Sequence, residues 1–296
     1  MTYTNAQSYD VIIIGGGPAG SQCGLWLKML GYNPVILEKN EKLGGLQLQN
    51  PYENHWIACV PGHIGKDIAG AIEFNIKRHG VAHILGVSNL DISDSETGFH
   101  VKCEGGLGEY QLTAPKLVIA TGVVHETGGF KPSENIIIAS GEVINNRNFS
   151  GLDVAILGGG DTAAENYFFI KEKGANSVKV FARTLRARKE FTSRIPQEDL
   201  IVGSYDVDEK EVAVNNDKFD IMCIMYGWKP INPLSSSVNI ELNEKGFFKT
   251  DDNYRTSYKD IYAIGECVQK IHPCVITAMS DGVVAAKAIQ NDIEYK

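Results

Sequence analysis

Two glycine-rich stretches carry the spacing that chemistry on a phosphate-linked cofactor requires. The first, Gly15-Gly16-Gly17-Pro18-Ala19-Gly20, follows the apolar run Val11–Ile14 and opens an apolar helical segment through Cys23, Leu25, Trp26, Leu27 and Leu30. In such a loop the first glycine turns the chain and the second lets the backbone approach a pyrophosphate. The third lets helix and strand pack closely, and the helix N-terminus faces the phosphate charge. The next β-rich run ends at Glu38, where a carboxylate accepts hydrogen bonds from ribose hydroxyls, with Lys39 beside it. The second stretch is Gly158-Gly159-Gly160-Asp161-Thr162-Ala163. Here Ala182 falls opposite Glu38, Arg183 follows it, and Arg186 and Arg188 lie on the same loop. No carboxylate repels a 2′-phosphate, and a guanidinium is placed to pair with one, which predicts NADPH in preference to NADH.

These loops need strands and helices to hold them. Asp10-Val-Ile-Ile-Ile-Gly15 recurs as Asp153-Val-Ala-Ile-Leu-Gly158, and Gly31 before residues 35–38 is matched by Gly174 before residues 178–181. Two copies of strand, loop, helix and strand imply two mononucleotide-binding units. Between them, Ile64, Ile68, Ala71, Ile72 and Ile76 recur at helical spacing and predict a helix over 64–79 that ends at Gly80. Strand-like stretches follow near 81–93, 98–103 and 109–114, then a short buried strand ending in Ala120-Thr121-Gly122. After the second copy come short strands near 199–214, a buried strand at 219–225, a strand at 260–265 and a helix from Val275 to about Asn291. The expected fold is α/β: two three-layer, Rossmann-like dinucleotide-binding domains, the first discontinuous. Residues 1–122 and 232–296 form one domain and residues 123–231 the other.

Composition narrows the partners. The net charge of -8 gives no electrostatic footprint for nucleic acid. No apolar run approaches a membrane span, and the polar first ten residues carry no basic-then-apolar signal pattern, so a cytoplasmic location is expected. Of the cysteines Cys23, Cys59, Cys103, Cys223, Cys267 and Cys274, none stands in a Cys-x-x-Cys, which reads as a reduced compartment. His79 and His83 share helical spacing, but Gly80 ends the helix between them, so no metal site is expected.

Two such loops, an Ala120-Thr121-Gly122 strand end and the late Ile261-Tyr-Ala-Ile-Gly265-Glu266 make a specific combination. Over nearly its whole length the chain resembles the low-molecular-weight thioredoxin reductases, within the wider pyridine nucleotide-disulfide oxidoreductases. The resemblance implies FAD on Gly15, Gly17, Pro18, Ala19, Gly20, Glu38 and Lys39, and the nicotinamide nucleotide on Gly158, Gly160, Asp161, Thr162, Ala163, Arg183 and Arg188. Gly44-Gly45-Leu46-Gln47 resembles a Gly-Gly-Gln-Leu stretch beside the flavin, with the last two residues exchanged. Ala120-Thr121-Gly122 resembles the crossing into the nucleotide domain, and Gly227-Trp-Lys-Pro230-Ile-Asn232 the return. Gly265-Glu266 resembles a Gly-Asp whose carboxylate holds the ribityl chain, and a helix N-terminus at Cys274 and Val275 would point at the flavin. A homodimer is also implied.

One departure bears on function. Thioredoxin reductases carry a redox Cys-x-x-Cys shortly before the second loop, at about Gly141 and Ile144 here, yet no cysteine lies between Thr121 and Leu157. A related bacillithiol-disulfide-reductase group carries a cysteine where this chain has Ala19. The expected function is FAD-dependent NAD(P)H oxidation with electrons passed to a non-disulfide acceptor, as in ferredoxin-NADP reductases on the same scaffold. The acceptor would be a ferredoxin- or flavodoxin-like carrier, a quinone or another small molecule. The alternatives are a disulfide reductase using Cys267 and Cys274, with His272 nearby, and a flavin-binding regulatory protein with little turnover.

Overall fold

The computed structural model describes residues 7–106, 108–138, 141–234, 238–270 and 272–295. The reading of residues 1–6, and the positions Ala139 and Ser140 ahead of the second loop, lie outside these. The chain divides into two compact units, one running to Val123 and resuming at Lys229, the other Val124–Trp228.

In the first unit β1 (Val11–Ile14) is buried along its whole length. It lies inside a parallel sheet, so it has no polar face to show. α1 (Pro18–Met29) starts on a proline at its first turn, where the missing N–H has no intrahelical partner to lose. β2 (Pro34–Leu37) follows, then α2 (Gly65–Arg78), which is stopped just ahead of Gly80. The Asp67 carboxylate caps α2 by accepting from the Ile64 N–H at 2.9 Å. After β3 (Ala82–Ile84) an antiparallel meander forms from β4 (Ser88–Ser95), β5 (Gly98–Gly105) and β6 (Gly108–Ala114). Along β5, Phe99, Val101 and Cys103 turn inward while the alternate residues face out. β7 (Lys116–Ile119) is again wholly buried.

The second unit contains β8 (Ile136–Ile137), β9 (Asp153–Leu157), α3 (Asp161–Glu172), β10 (Ser177–Ala182), β11 (Leu200–Val202) and β12 (Ile221–Ile224). A small antiparallel sheet over residues 207–218 is attached to it. The chain then returns to the first unit for β13 (Ile261–Ala263) and α4 (Val275–Glu294). The two parallel sheets share a plan. Their orders are β13-β7-β1-β2-β3 and β8-β12-β9-β10-β11. In each, the strand that feeds the glycine loop is central, and the chain changes side next to it. That is the topological switch point at which open α/β sheets bind ligands.

α4 lies on α1 because residue 282 is glycine: a Cβ there would fall 2.5 Å from the Ala19 carbonyl oxygen. The far end of α4 is tied down by Asp292, which accepts both arms of Arg255 at 2.8 Å and the Tyr262 hydroxyl. The Arg255 hydrogen bond is the largest influence holding the Asp292 carboxyl down, at about 2 against 3.8 when unperturbed. A depressed folded pKa means this stabilisation is complete above pH 3.8 and disappears as pH falls through about 2. Asp292→Asn is therefore expected to flatten the stability-pH curve over that acid window. Denaturant titrations at stepped pH check it, and an unchanged acid limb would count against the assignment.

Candidate functional site

The first site is built at the carboxyl ends of β1 and β7. Gly15 turns with φ of 110°, and a Cβ on it would meet the Ala120 carbonyl oxygen at 2.2 Å, so only glycine lets the loop pass over the end of β7. Gly17 is the N-cap of α1, and its N-terminal amides face out of the loop. Glu38, 4% exposed, ends β2 beside this loop. One carboxylate oxygen accepts from the Gly16 N–H at 2.7 Å and the other from Asn40 N and Nδ2 at 2.9 and 2.7 Å. Both oxygens are thus fixed in direction, and Oε2, which accepts from Gly16 alone, keeps a lone pair for a ribose hydroxyl. Lys39 is exposed.

The Gly44–Gln47 turn folds onto the same loop. Gly44 N–H donates to the Gly16 carbonyl at 2.9 Å, and a Cβ on Gly45 would lie 2.9 Å from the Gly17 Cα. Leu46 and Gln47 are half-buried there, and Gln47 Oε1 is buried with no hydrogen-bond partner. A buried acceptor without a donor is costly unless a ligand supplies one.

On the other side of β1 and β7, Gly265 follows β13 in a left-handed conformation (φ 74°). Its N–H donates at 3.0 Å to Asp281 on α4, which also accepts the Tyr254 hydroxyl. Asp281 is 5% exposed and had escaped the sequence reading. The available signal was a carboxylate on the apolar stripe Ala278, Gly282, Ala285 of the last helix. Burial raises the carboxyl of Asp281 and also that of half-buried Glu266. A small cleft opens between Glu266, Cys274, Thr277 and Asp281. Cys274 caps α4: its N–H donates to Thr277 Oγ1 at 3.0 Å, and its Sγ accepts the Thr277 N–H at 3.5 Å. Val275 is the first residue of that helix, and His272 is exposed. Cys267 points into the core, donating to the carbonyls of Ile264 and Ile119 at 3.1 and 3.6 Å, and burial pushes its thiol up to about 12. That environment opposes the alternative in which Cys267 pairs with Cys274 as redox thiols. At the crossing, Thr121 Oγ1 donates to the Ile231 carbonyl at 2.6 Å and Ile231 N–H to Gly122 at 3.1 Å.

The second site repeats the first on β9 and β12. A Cβ on Gly158 would lie 2.2 Å from the Met225 carbonyl oxygen, the same approach that Gly15 makes to Ala120. Gly160 is the N-cap of α3, with nothing within 4 Å of where its Cβ would stand, which leaves room for a phosphate. Asp161, Thr162 and Ala163 form the first turn of α3, and Ala163 is buried. Arg183 and Arg186 are exposed on the following loop. Arg188, expected beside them as a phosphate ligand, instead faces two carboxylates. Its Nε lies 3.0 Å from Asp161 and its Nη2 3.4 Å from Glu165.

Residues 9–282 match the pyridine nucleotide-disulphide oxidoreductase family. The chain belongs to that family. It is 27% identical to a thioredoxin reductase of Peptoclostridium litorale, over 97% of each chain. It is 28% identical to a ferredoxin–NADP reductase of Pediococcus pentosaceus, over 97% of this chain and 94% of that relative. Thioredoxin reductase from Lactococcus lactis has the same fold, with a TM-score of 0.74 at 24% identity, covering 96% of this chain and 98% of that one. This pyridine nucleotide-disulphide oxidoreductase is an FAD-dependent NAD(P)H oxidoreductase, with FAD and NAD(P)H as its cofactors. The residues present suit them: the Gly17 amide end and the fixed Glu38 carboxylate for the adenosine half of one dinucleotide, the open Gln47 acceptor beside it, and the uncrowded Gly160 turn for the other.

Proposed function

We propose that this chain takes electrons from NADPH and delivers them to a non-disulfide acceptor, either a small redox protein or a small molecule. FAD, when bound, supplies hydride acceptance and onward electron release. The protein's part is to seat it: Glu38 for the adenosine ribose, Gly15–Gly20 for the pyrophosphate, Gln47 and Glu266 nearer the reactive end. Residues 123–231 take NADPH on the Gly158–Ala163 turn, and residues 1–122 with 232–296 take FAD.

The observation that carries the acceptor class is the placement of sulfur. Disulfide reduction needs a thiolate and a second thiol to resolve the mixed disulfide. Cys23, Cys223 and Cys267 are buried, and burial pushes each thiol up to about 12. Cys103 is buried and raised as well. Cys59 is exposed on a loop, and Cys274 is engaged in capping α4. The relative named ferredoxin–NADP reductase supports the same reading.

An acceptor screen on purified protein tests it. With NADPH as donor, ferredoxin, a quinone or a ferric chelate is expected to be reduced much faster than thioredoxin or a small disulfide, because no thiolate pair is placed to attack the disulfide. Cys59→Ser and Cys274→Ser should keep that rate. Rapid thioredoxin reduction that disappears in Cys274→Ser would reverse the conclusion in favour of a disulfide reductase.

A further inference from the structure

The loop after β10 is bound to the phosphate turn in a way that the expected nucleotide contacts do not explain. The Gly159 carbonyl accepts two backbone amides from that loop, Arg186 N–H at 2.6 Å and Ala187 N–H at 2.8 Å. A Cβ on Gly159 would fall 2.2 Å from the Thr184 carbonyl oxygen, so the two segments touch backbone to backbone. Asp161, the first residue of α3, completes the attachment. Its Oδ1 accepts the Arg188 N–H at 2.7 Å, and its Oδ2 lies 3.0 Å from Arg188 Nε. Glu165, one turn along α3, lies 3.4 Å from Arg188 Nη2, and the guanidinium carbon sits 4.4 Å from the centre of the Phe191 ring.

Arg188 is therefore held on three sides: two carboxylates from α3 and an aromatic face from the short helix Lys189–Thr192. Two carboxylates against the guanidinium offset the charge it could offer a phosphate. The cations on the same loop with exposed side chains are Arg183 and Arg186. Their backbone lies in the stretch that Gly159 and Asp161 hold down.

We propose that Asp161 is a positioning residue for nucleotide choice. Through Arg188 it fixes the loop so that Arg183 and Arg186 are presented together to the 2′-phosphate of NADPH. This rests on the NADPH reading of the second site and adds a cause for it. Two long side chains on an unanchored loop would each lose rotamer freedom on binding, whereas a loop already fixed by the Gly159 and Asp161 contacts has less to lose. The partly exposed ion pair contributes little by itself. The Arg188 amide hydrogen bond and the Gly159 bonds set the loop's shape.

The experiment measures binding of 2′,5′-ADP and 5′-AMP to the FAD-loaded protein by titration calorimetry, with the ratio of the two affinities as readout. The two ligands differ only in the 2′-phosphate, and loss of a negative charge by itself favours the more anionic one, so a fall in the ratio is not a charge effect. Wild type is expected to favour 2′,5′-ADP. In Asp161→Ala that ratio is expected to fall about tenfold; Arg188→Ala keeps the backbone amide that Asp161 accepts and should lower it less, and the double variant should be no worse than Asp161→Ala alone. Asp161→Asn keeps an oxygen for the Arg188 amide and should retain most of the preference. In steady state the KM for NADPH should rise while kcat holds. Far-UV circular dichroism and flavin content show that each variant is folded.

Asp161→Ala binding 2′,5′-ADP more tightly would overturn the proposal, because Arg188 would then be a phosphate ligand restrained by Asp161. Additive losses in the double variant would overturn it as well. A preference that survives Asp161→Ala removes the positioning role and leaves the NADPH reading standing. Equal binding of the two fragments by wild type removes both.

Discussion

Gly20→Ala is expected to yield protein that binds little FAD and unfolds readily. The added Cβ would stand 2.0 Å from the Gly15 carbonyl oxygen and 3.0 Å from the Ala120 side chain. Neither neighbour can swing away: one is backbone in the phosphate turn, the other follows a strand in the middle of the sheet. Relief requires α1 to lift off β1, which moves the Gly17 amide end out of place. α4 would have to move too, since a Cβ at Gly282 already has no space against Ala19. Overpacking of this kind costs about 3 kcal/mol. Flavin content after purification should fall below roughly a tenth of wild type, about 1.4 kcal/mol of lost affinity or more. The matching position of the second unit is Ala163, buried with its methyl group in place. There the reverse change, Ala163→Gly, should cost only about 1 kcal/mol through helix propensity. Visible absorbance of the purified variants and their thermal midpoints check both. Full flavin occupancy in Gly20→Ala would falsify the account of the close approach.

Asp260→Asn is the second large effect. Lys116 begins β7 with its side chain 2% exposed, and its ammonium reaches Asp260, whose side chain is 25% exposed. The backbone reinforces the pairing: Leu117 N–H donates to the Asp260 carbonyl at 3.0 Å. Asp260 is left-handed, with φ of 64°. Asparagine tolerates that conformation, so the substitution removes charge and little else. A buried ammonium without its carboxylate costs about 3–5 kcal/mol. The loss should appear in urea titration as a lower midpoint with an unchanged slope. Lys116→Met should cost much less, because the carboxylate left behind can rehydrate and the apolar chain still fills the site. Equal losses from the two variants, or a loss under about 0.5 kcal/mol for Asp260→Asn, would mark the pair as an ordinary surface bridge.

The parts of the site made from neighbours in sequence were legible before any coordinates. Gly15, Gly17 and Gly20 sit between an all-apolar run and a helix, and short-range sterics decide what such spacing does. The same holds for Gly158 and Gly160. Helix bounds followed the apolar period closely: the prediction over 64–79 corresponds to Gly65–Arg78, and the last helix runs to Glu294 where Asn291 was expected. Family membership follows from the same local patterns, and FAD from the resemblance they carry.

Contacts between residues far apart in sequence were decided by the tertiary structure alone. An arginine after a second strand reads as a phosphate ligand, and Arg183 and Arg188 looked alike on that basis. Only packing brings α3 beside the loop and directs Asp161 and Glu165 at Arg188. A cysteine near a flavin motif reads as a possible redox thiol, and only burial shows Cys267 donating to carbonyls in the core. Asp281 is a carboxylate on the apolar stripe of the last helix, and only folding brings the Gly265 amide onto it. Local spacing in the sequence determines which loops can hold phosphates, because that depends on backbone sterics within a few residues. Which charges remain available to a ligand depends on the partners that folding brings together, and the chain order does not contain that information in readable form.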